Sequence, residues 1–81
     1  MRFPEEVNKD IIVRLRRLEG QVRGLQRMVE EGSECREVVT QLSAAKGALD
    51  RIGFKLMAAA LTSADRDADL SELERLFLKL S

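Results

Sequence analysis

Apolar residues recur along the first third of the chain in steps of four and three: Val7, Ile11, Leu15, Leu18, Val22, Leu25 and Val29. That spacing keeps them on one stripe of a helix and is of coiled-coil type. It predicts a first helix over about residues 5–31. Pro4 stands just ahead of it, where a missing N–H costs little. Gly32 suits a left-handed helix end. A second stripe follows in the same alternating steps: Val38, Leu42, Ala45, Leu49, Ile52 and Leu56. Extended backward it reaches Cys35, and extended forward it reaches Ala60. This predicts a helix over about 34–64, with Ser33 as N-cap, Glu34 favourably placed against the dipole, and Cys35 at N2. Gly47 and Gly53 inside it are weak points or places of close helix approach. After the polar "DRDAD", Leu70, Leu73, Phe77 and Leu80 mark a short third helix over about 69–80. Asp69 and Glu72 form a capping-box-like start for it.

These elements predict an all-α fold of three helices in a single domain over 1–81. Two long helices joined by a short connection make an antiparallel hairpin. Their stripes are too extensive for one hairpin to cover, so a second copy should complete a four-helix bundle across a dimer interface. A chain of 81 residues builds only a marginal core alone, which makes an obligate oligomer the expectation.

Composition narrows the class further. Hydrophobic residues make up 44% of the chain, enough to exclude wholesale disorder. No apolar run is long enough for a membrane span and no signal-peptide pattern opens the chain, so no membrane partner is expected. One cysteine cannot form an internal disulfide, which points to a reducing cytoplasm. With no histidine, and no partner for the lone thiol, catalysis is not expected.

The 14 basic and 14 acidic residues cancel, yet they are segregated. Residues 9–27 carry six basic groups (Lys9, Arg14, Arg16, Arg17, Arg23, Arg27) against Asp10 and Glu19. Residues 28–50 carry five acidic groups against two basic ones. Local positive surface therefore survives the neutral total. Lys9, Arg16, Arg23 and Arg27 fall opposite the first apolar stripe, with Arg14 and Arg17 read as flanking it on either side. A solvated helix face, with Arg27 and Glu31 as an i,i+4 pair, is the commoner meaning of such a run. The alternative is phosphate recognition, for which the arginine fork is well shaped. No aromatic interleaves the patch, so stacking on single-stranded bases is not indicated. Gly20 and Gly24 suggest a close backbone approach on one side of the first helix. Cys35 near a helix start can be a small packing residue or a thiolate stabilised by free N–H groups.

The run "RLRRLEGQVRGLQRMVEEGSEC", followed by "QLSAAKGALDRIG", resembles the CsoR/RcnR/FrmR family of small bacterial transcriptional repressors. The resemblance covers about residues 10–64 and is carried most specifically by RL-x-R-x-x-GQV-x-G. It implies an all-helical dimer of dimers that binds double-stranded operator DNA without a helix-turn-helix and is released by an inducer. Arg14 and Arg51 match positions that members use for DNA binding, with Arg16 and Arg17 in the cluster beside the first. Cys35 matches a metal-ligating cysteine of the metal-sensing members. The remaining ligands there come from a neighbouring protomer, typically a histidine and, four positions on, a cysteine or histidine. In this chain those positions are Ala60 and Ala64, within "MAAALTSAD". Copper(I) or nickel/cobalt would be the family's metals, but their ligands are missing, and no cofactor is expected. The sulfur-sensing branch needs two cysteines. The formaldehyde branch needs an N-terminal proline amine, and here Pro4 lies behind Met1, Arg2 and Phe3. The expectation is therefore a cytoplasmic bacterial repressor, a homotetramer with Cys35 as candidate sensor thiol. Two alternatives stand beside it. One is a helical partner subunit that does not bind DNA. The other is an atypical metal-binding regulator using symmetry-related Cys35 side chains and carboxylates.

Overall fold

A computed structural model describes residues 1–81. It contains three helices and no strand: α1 (Glu5–Glu30), α2 (Cys35–Ser63) and α3 (Asp67–Leu80). Helix α1 opens behind Pro4, with Glu5 and Glu6 in its first turn, and carries Arg27 in its last, so charge complements the dipole at both ends. It stops in a Schellman arrangement. Gly32 adopts a φ of 73°. Its N–H donates to the Val29 carbonyl at 3.2 Å, and the Ser33 N–H donates to Met28 at 2.9 Å. Glycine reaches this left-handed conformation without the Cβ clash other residues suffer. The connection is short, so α2 runs back antiparallel along α1.

The two stripes meet along this hairpin, but only in part. Ile11, Ala45, Ile52 and Ala60 are buried, and Val7, Leu18, Leu25 and Val38 are half-buried. The other edge of each stripe faces outward, with Leu15, Val22 and Val29 exposed on α1 and Leu42 and Leu49 on α2. Helix α3 packs on α2 alone. Its Leu80 methyls lie 3.7 Å from where a Cβ on Gly53 would sit, an ordinary van der Waals distance, so α3 reaches α2 here without requiring a glycine. An open apolar groove between α2 and α3 is lined by Phe54, Met57, Leu61, Leu73 and Phe77.

The molecule measures 51 × 24 × 13 Å, hardly thicker than one layer of helices. Its radius of gyration is 16.2 Å. A globule of this length would have about 12 Å.

Several local expectations change. Glu34, not Ser33, is the N-cap of α2, and no side chain bonds there, so Cys35 is N1 rather than N2. Helix α3 starts at Asp67, two residues before the expected Asp69. Asp69 is not a cap but a buried first-turn residue, its carboxylate 3.5 Å from Arg66. A Cβ on Gly20 or Gly24 would meet nothing within 4 Å, so these glycines mark no close approach within the chain.

Candidate nucleic-acid interface

The basic residues of α1 divide between two surfaces. Arg14 is half-buried where α1 meets α2, and Arg17 lies one turn further along the same side. Both line a groove with Leu18, Gln21, Ala48, Ile52 and, from α2, Arg51. Arg14 and Arg17 thus share one side of the stripe and do not flank it as the sequence suggested. Counting by 100° per residue puts them about 60° apart on the side facing α2. Arg51 folds back along its own helix, its Nη1 3.5 Å from where a Cβ on Gly47 would lie. A small residue at 47 leaves room for that course.

Arg16 does not line this groove. It lies exposed on the other surface, with Lys9, Arg23 and Arg27. Of the four arginines expected at the interface, the fold therefore brings three together and leaves one apart.

Ion pairing distinguishes them further. Arg14 Nε donates to Asp10 Oδ2 at 3.1 Å. Arg17 and Arg51 have no carboxylate within 4.0 Å, and neither does Arg16. On the outer face Arg23 pairs with Glu19 at 3.4 Å and Lys9 with Glu5 at 3.7 Å. The expected Arg27–Glu31 pair does not form. The groove thus presents three guanidinium groups against one carboxylate, in a chain whose total charge is zero. Asp10 did not stand out in the sequence, although its spacing of four from Arg14 is the ordinary signature of a helical ion pair.

Cys35 is exposed at the first turn of α2, far from the groove. Its placement removes the packing role within the chain. Ala60 is buried near the other end of α2 and Ala64 is half-buried at its C-cap. No group of three or more histidine, cysteine, aspartate or glutamate side chains is placed to hold a metal ion. No helix is long and apolar enough to cross a membrane.

Comparison with known proteins gives a consistent set of relatives. The family profile described as "Metal-sensitive transcriptional repressor" matches residues 7–79. The copper-sensing transcriptional repressor CsoR of Bacillus subtilis is 37% identical over 76 residues, spanning 84% of this chain and 75% of that protein. The copper-sensing transcriptional repressor RicR of Mycobacterium tuberculosis is 52% identical over 44 residues, 54% of this chain and 46% of that protein. An uncharacterized protein in the bioA 5′ region of Serratia marcescens is 32% identical over 74 residues, covering 80% of this chain and 81% of its own. No solved structure matches.

Proposed function

Because the chain belongs to the metal-sensitive transcriptional repressor family, we propose that it binds double-stranded operator DNA as a homotetramer and is released by an inducer. The observation that carries this reading is the convergence of Arg14, Arg17 and Arg51 on one groove between the long helices. Three guanidinium groups from two helices make a local positive field that the neutral total conceals. Each fork can donate two parallel hydrogen bonds to a phosphate. Such contacts fix the register of the protein on the duplex, and groove shape supplies part of the sequence preference. Arg16, on the other surface, adds to the long-range attraction rather than to this set of contacts.

The tetramer is supported by surface arithmetic. The isolated chain exposes 6702 Å². A compact monomer of 9.1 kDa would expose about 4,900 Å². The excess, roughly 1,800 Å², is comparable to the roughly 1,600 Å² that two interfaces of standard size would remove from one protomer. Two separate apolar surfaces are available for them. One runs through Leu15, Val22, Leu42 and Leu49 on the hairpin, and the other is the α2–α3 groove. Only six of 81 residues are buried in the protomer, which supports folding coupled to assembly.

Release from DNA in the bacterial cytoplasm would be triggered at a site away from the arginine groove. The exposed Cys35 thiol is the candidate sensing group. The test is fluorescence anisotropy with a labelled duplex from upstream of the protein's own coding region, titrated at several salt concentrations. A linear fall of log affinity with log salt, and tighter binding than to a scrambled duplex, is expected. Absence of binding at low salt would leave a non-DNA-binding partner subunit as the reading.

A further inference from the structure

We propose that this chain is a metal-blind member of its family: it holds no copper(I), nickel or cobalt ion, and these ions do not release it from DNA. The second clause rests on the repressor reading above; the first does not.

Copper(I) selects thiolate and thioether sulfur together with imidazole, and nickel and cobalt sites are built on imidazole. The chain has no histidine and one cysteine. A single thiolate is too few for any of these ions, so a site would need donors from elsewhere in the fold.

Geometry then restricts where they could come from. Cys35 is the first residue of α2, and the segment matching the family's other ligand positions lies at the far end of that helix. Roughly twenty-five residues of helix separate Cys35 from Ala60, about 37 Å at 1.5 Å per residue. The two ends cannot meet within one protomer. They meet only if α2 of a second copy lies antiparallel to the first.

Such a partner would bring almost nothing to the ion. Ala60 and Ala64 have no donor atom. Ala60 is only 5% exposed, so its place is packed helix interior rather than an open cavity. The Thr62 hydroxyl donates to the Ala58 carbonyl at 3.0 Å, and the Ser63 hydroxyl donates to Ala59 at 3.1 Å. Both offer only a neutral hydroxyl oxygen, not the sulfur or imidazole that these ions select. Met57 lines the α2–α3 groove instead. Asp65 offers a hard carboxylate, 4.0 Å from Arg66. Next to Cys35 the groups are Glu34, Arg36 and Glu37: two more hard carboxylates, and a cation that opposes metal binding. The groups adjoining Cys35 and the two alanines thus amount to one thiolate with carboxylates, and the thioethers of Met28 and Met57 are weak neutral donors that lie outside that set; this matches neither the thiolate-rich nor the imidazole-based ions.

The experiment uses the full chain, reduced and loaded anaerobically with copper(I), nickel(II) or cobalt(II) in turn. Each sample is desalted in the presence of excess glutathione, and metal per protomer is measured by elemental mass spectrometry. Operator affinity is measured on the same samples. The expected result is only trace metal and an operator affinity unchanged by any of the three ions. Retention of about one ion per protomer, or one per pair of protomers, that is lost in Cys35→Ala would overturn the proposal. So would a weakening of operator binding by about tenfold on metal addition, the scale of ordinary allosteric coupling. If the protein binds no operator at all, the repressor reading fails, and the metal count alone still decides this inference.

Discussion

Arg14 on α1 and Arg51 on α2 line one groove, and only Arg14 is tied to a carboxylate there. The two therefore contribute differently to an anion that enters. Arg51 is free to bind, whereas Arg14 must loosen its 3.1 Å hydrogen bond with Asp10 first.

Replacing both, Arg14→Ala with Arg51→Ala, removes a cation from each side of the groove in every protomer. Operator affinity should fall by about a hundredfold or more, and the salt slope should flatten by roughly 0.9 for each phosphate that is no longer neutralised. Anisotropy at a series of salt concentrations measures both. An unchanged slope would place the DNA on another surface. Arg16→Ala, on the opposite face, should leave the slope nearly as it is.

Asp10→Asn should act in the reverse direction. Asp10 is about half exposed and Arg14 is half-buried but still open to solvent, so the pair itself is a weak one. Releasing Arg14 from it should tighten operator binding by about two- to fivefold, the range of such surface pairs, while thermal stability changes little. A weaker affinity would instead make Asp10 the group that positions Arg14.

Gly32 is the one residue with positive φ, at 73°. Nothing lies within 4 Å of a Cβ built there, so the cost of Gly32→Ala is conformational rather than steric crowding by neighbours. It should destabilise the hairpin by about 1–2 kcal/mol. Thermal unfolding followed by circular dichroism at fixed protein concentration reads this directly. Gly20→Ala, in open helix surface, should be neutral or stabilising by comparison.

How far the chain announces its fold can be judged residue by residue. Steps of four and three place both long helices and the hairpin, because a helix has no other way to gather those residues on one side. The same steps do not separate Leu18, which meets α2, from Leu15, which faces outward. Both sit on one broad stripe, and only the position of the second helix divides it. The side on which Arg17 lies is hidden for a related reason: angle counting fixes neighbours on a helix, but the groove exists only once α2 is in place. Phe54, 79% exposed, belongs to no stripe and becomes visible only as the rim of the α2–α3 groove. Asp69 looks like a helix start because Asp-x-x-Glu is a capping pattern. The chain enters α3 two residues earlier and turns that carboxylate inward.

That inward carboxylate gives a pH dependence with a definite sign. Burial pushes the Asp69 carboxyl upward, but the hydrogen bond from the Asp65 backbone and the adjacent Arg66 outweigh it. The net effect holds the group below its ordinary value of 3.8. A carboxylate with a depressed folded-state pKa adds stability above its unfolded value and loses it as pH falls through the folded one. Stability should therefore decline below about pH 4 as Asp69 takes up its proton. Asp69→Asn should remove this part of the acid sensitivity. Melting temperatures of both proteins between neutral pH and about pH 3 would check it, and parallel curves would refute the assignment.

Val22 and Leu49 are about half exposed on the outward edge of the hairpin stripes, in a protomer with only six buried residues. Covering them in an assembly would take apolar surface out of water, and that stabilisation scales with the area buried. Light scattering on a size-exclusion column should give four times the 9.1 kDa chain mass. Leu49→Glu should reduce that mass and lower the helix content on dilution, because a carboxylate cannot enter an apolar interface unpaired. Arg27→Glu, a charge change on the exposed face, should leave the mass unchanged. A stable, fully helical monomer of Leu49→Glu would mean that the protomer folds without a partner, and that the excess surface has some other use.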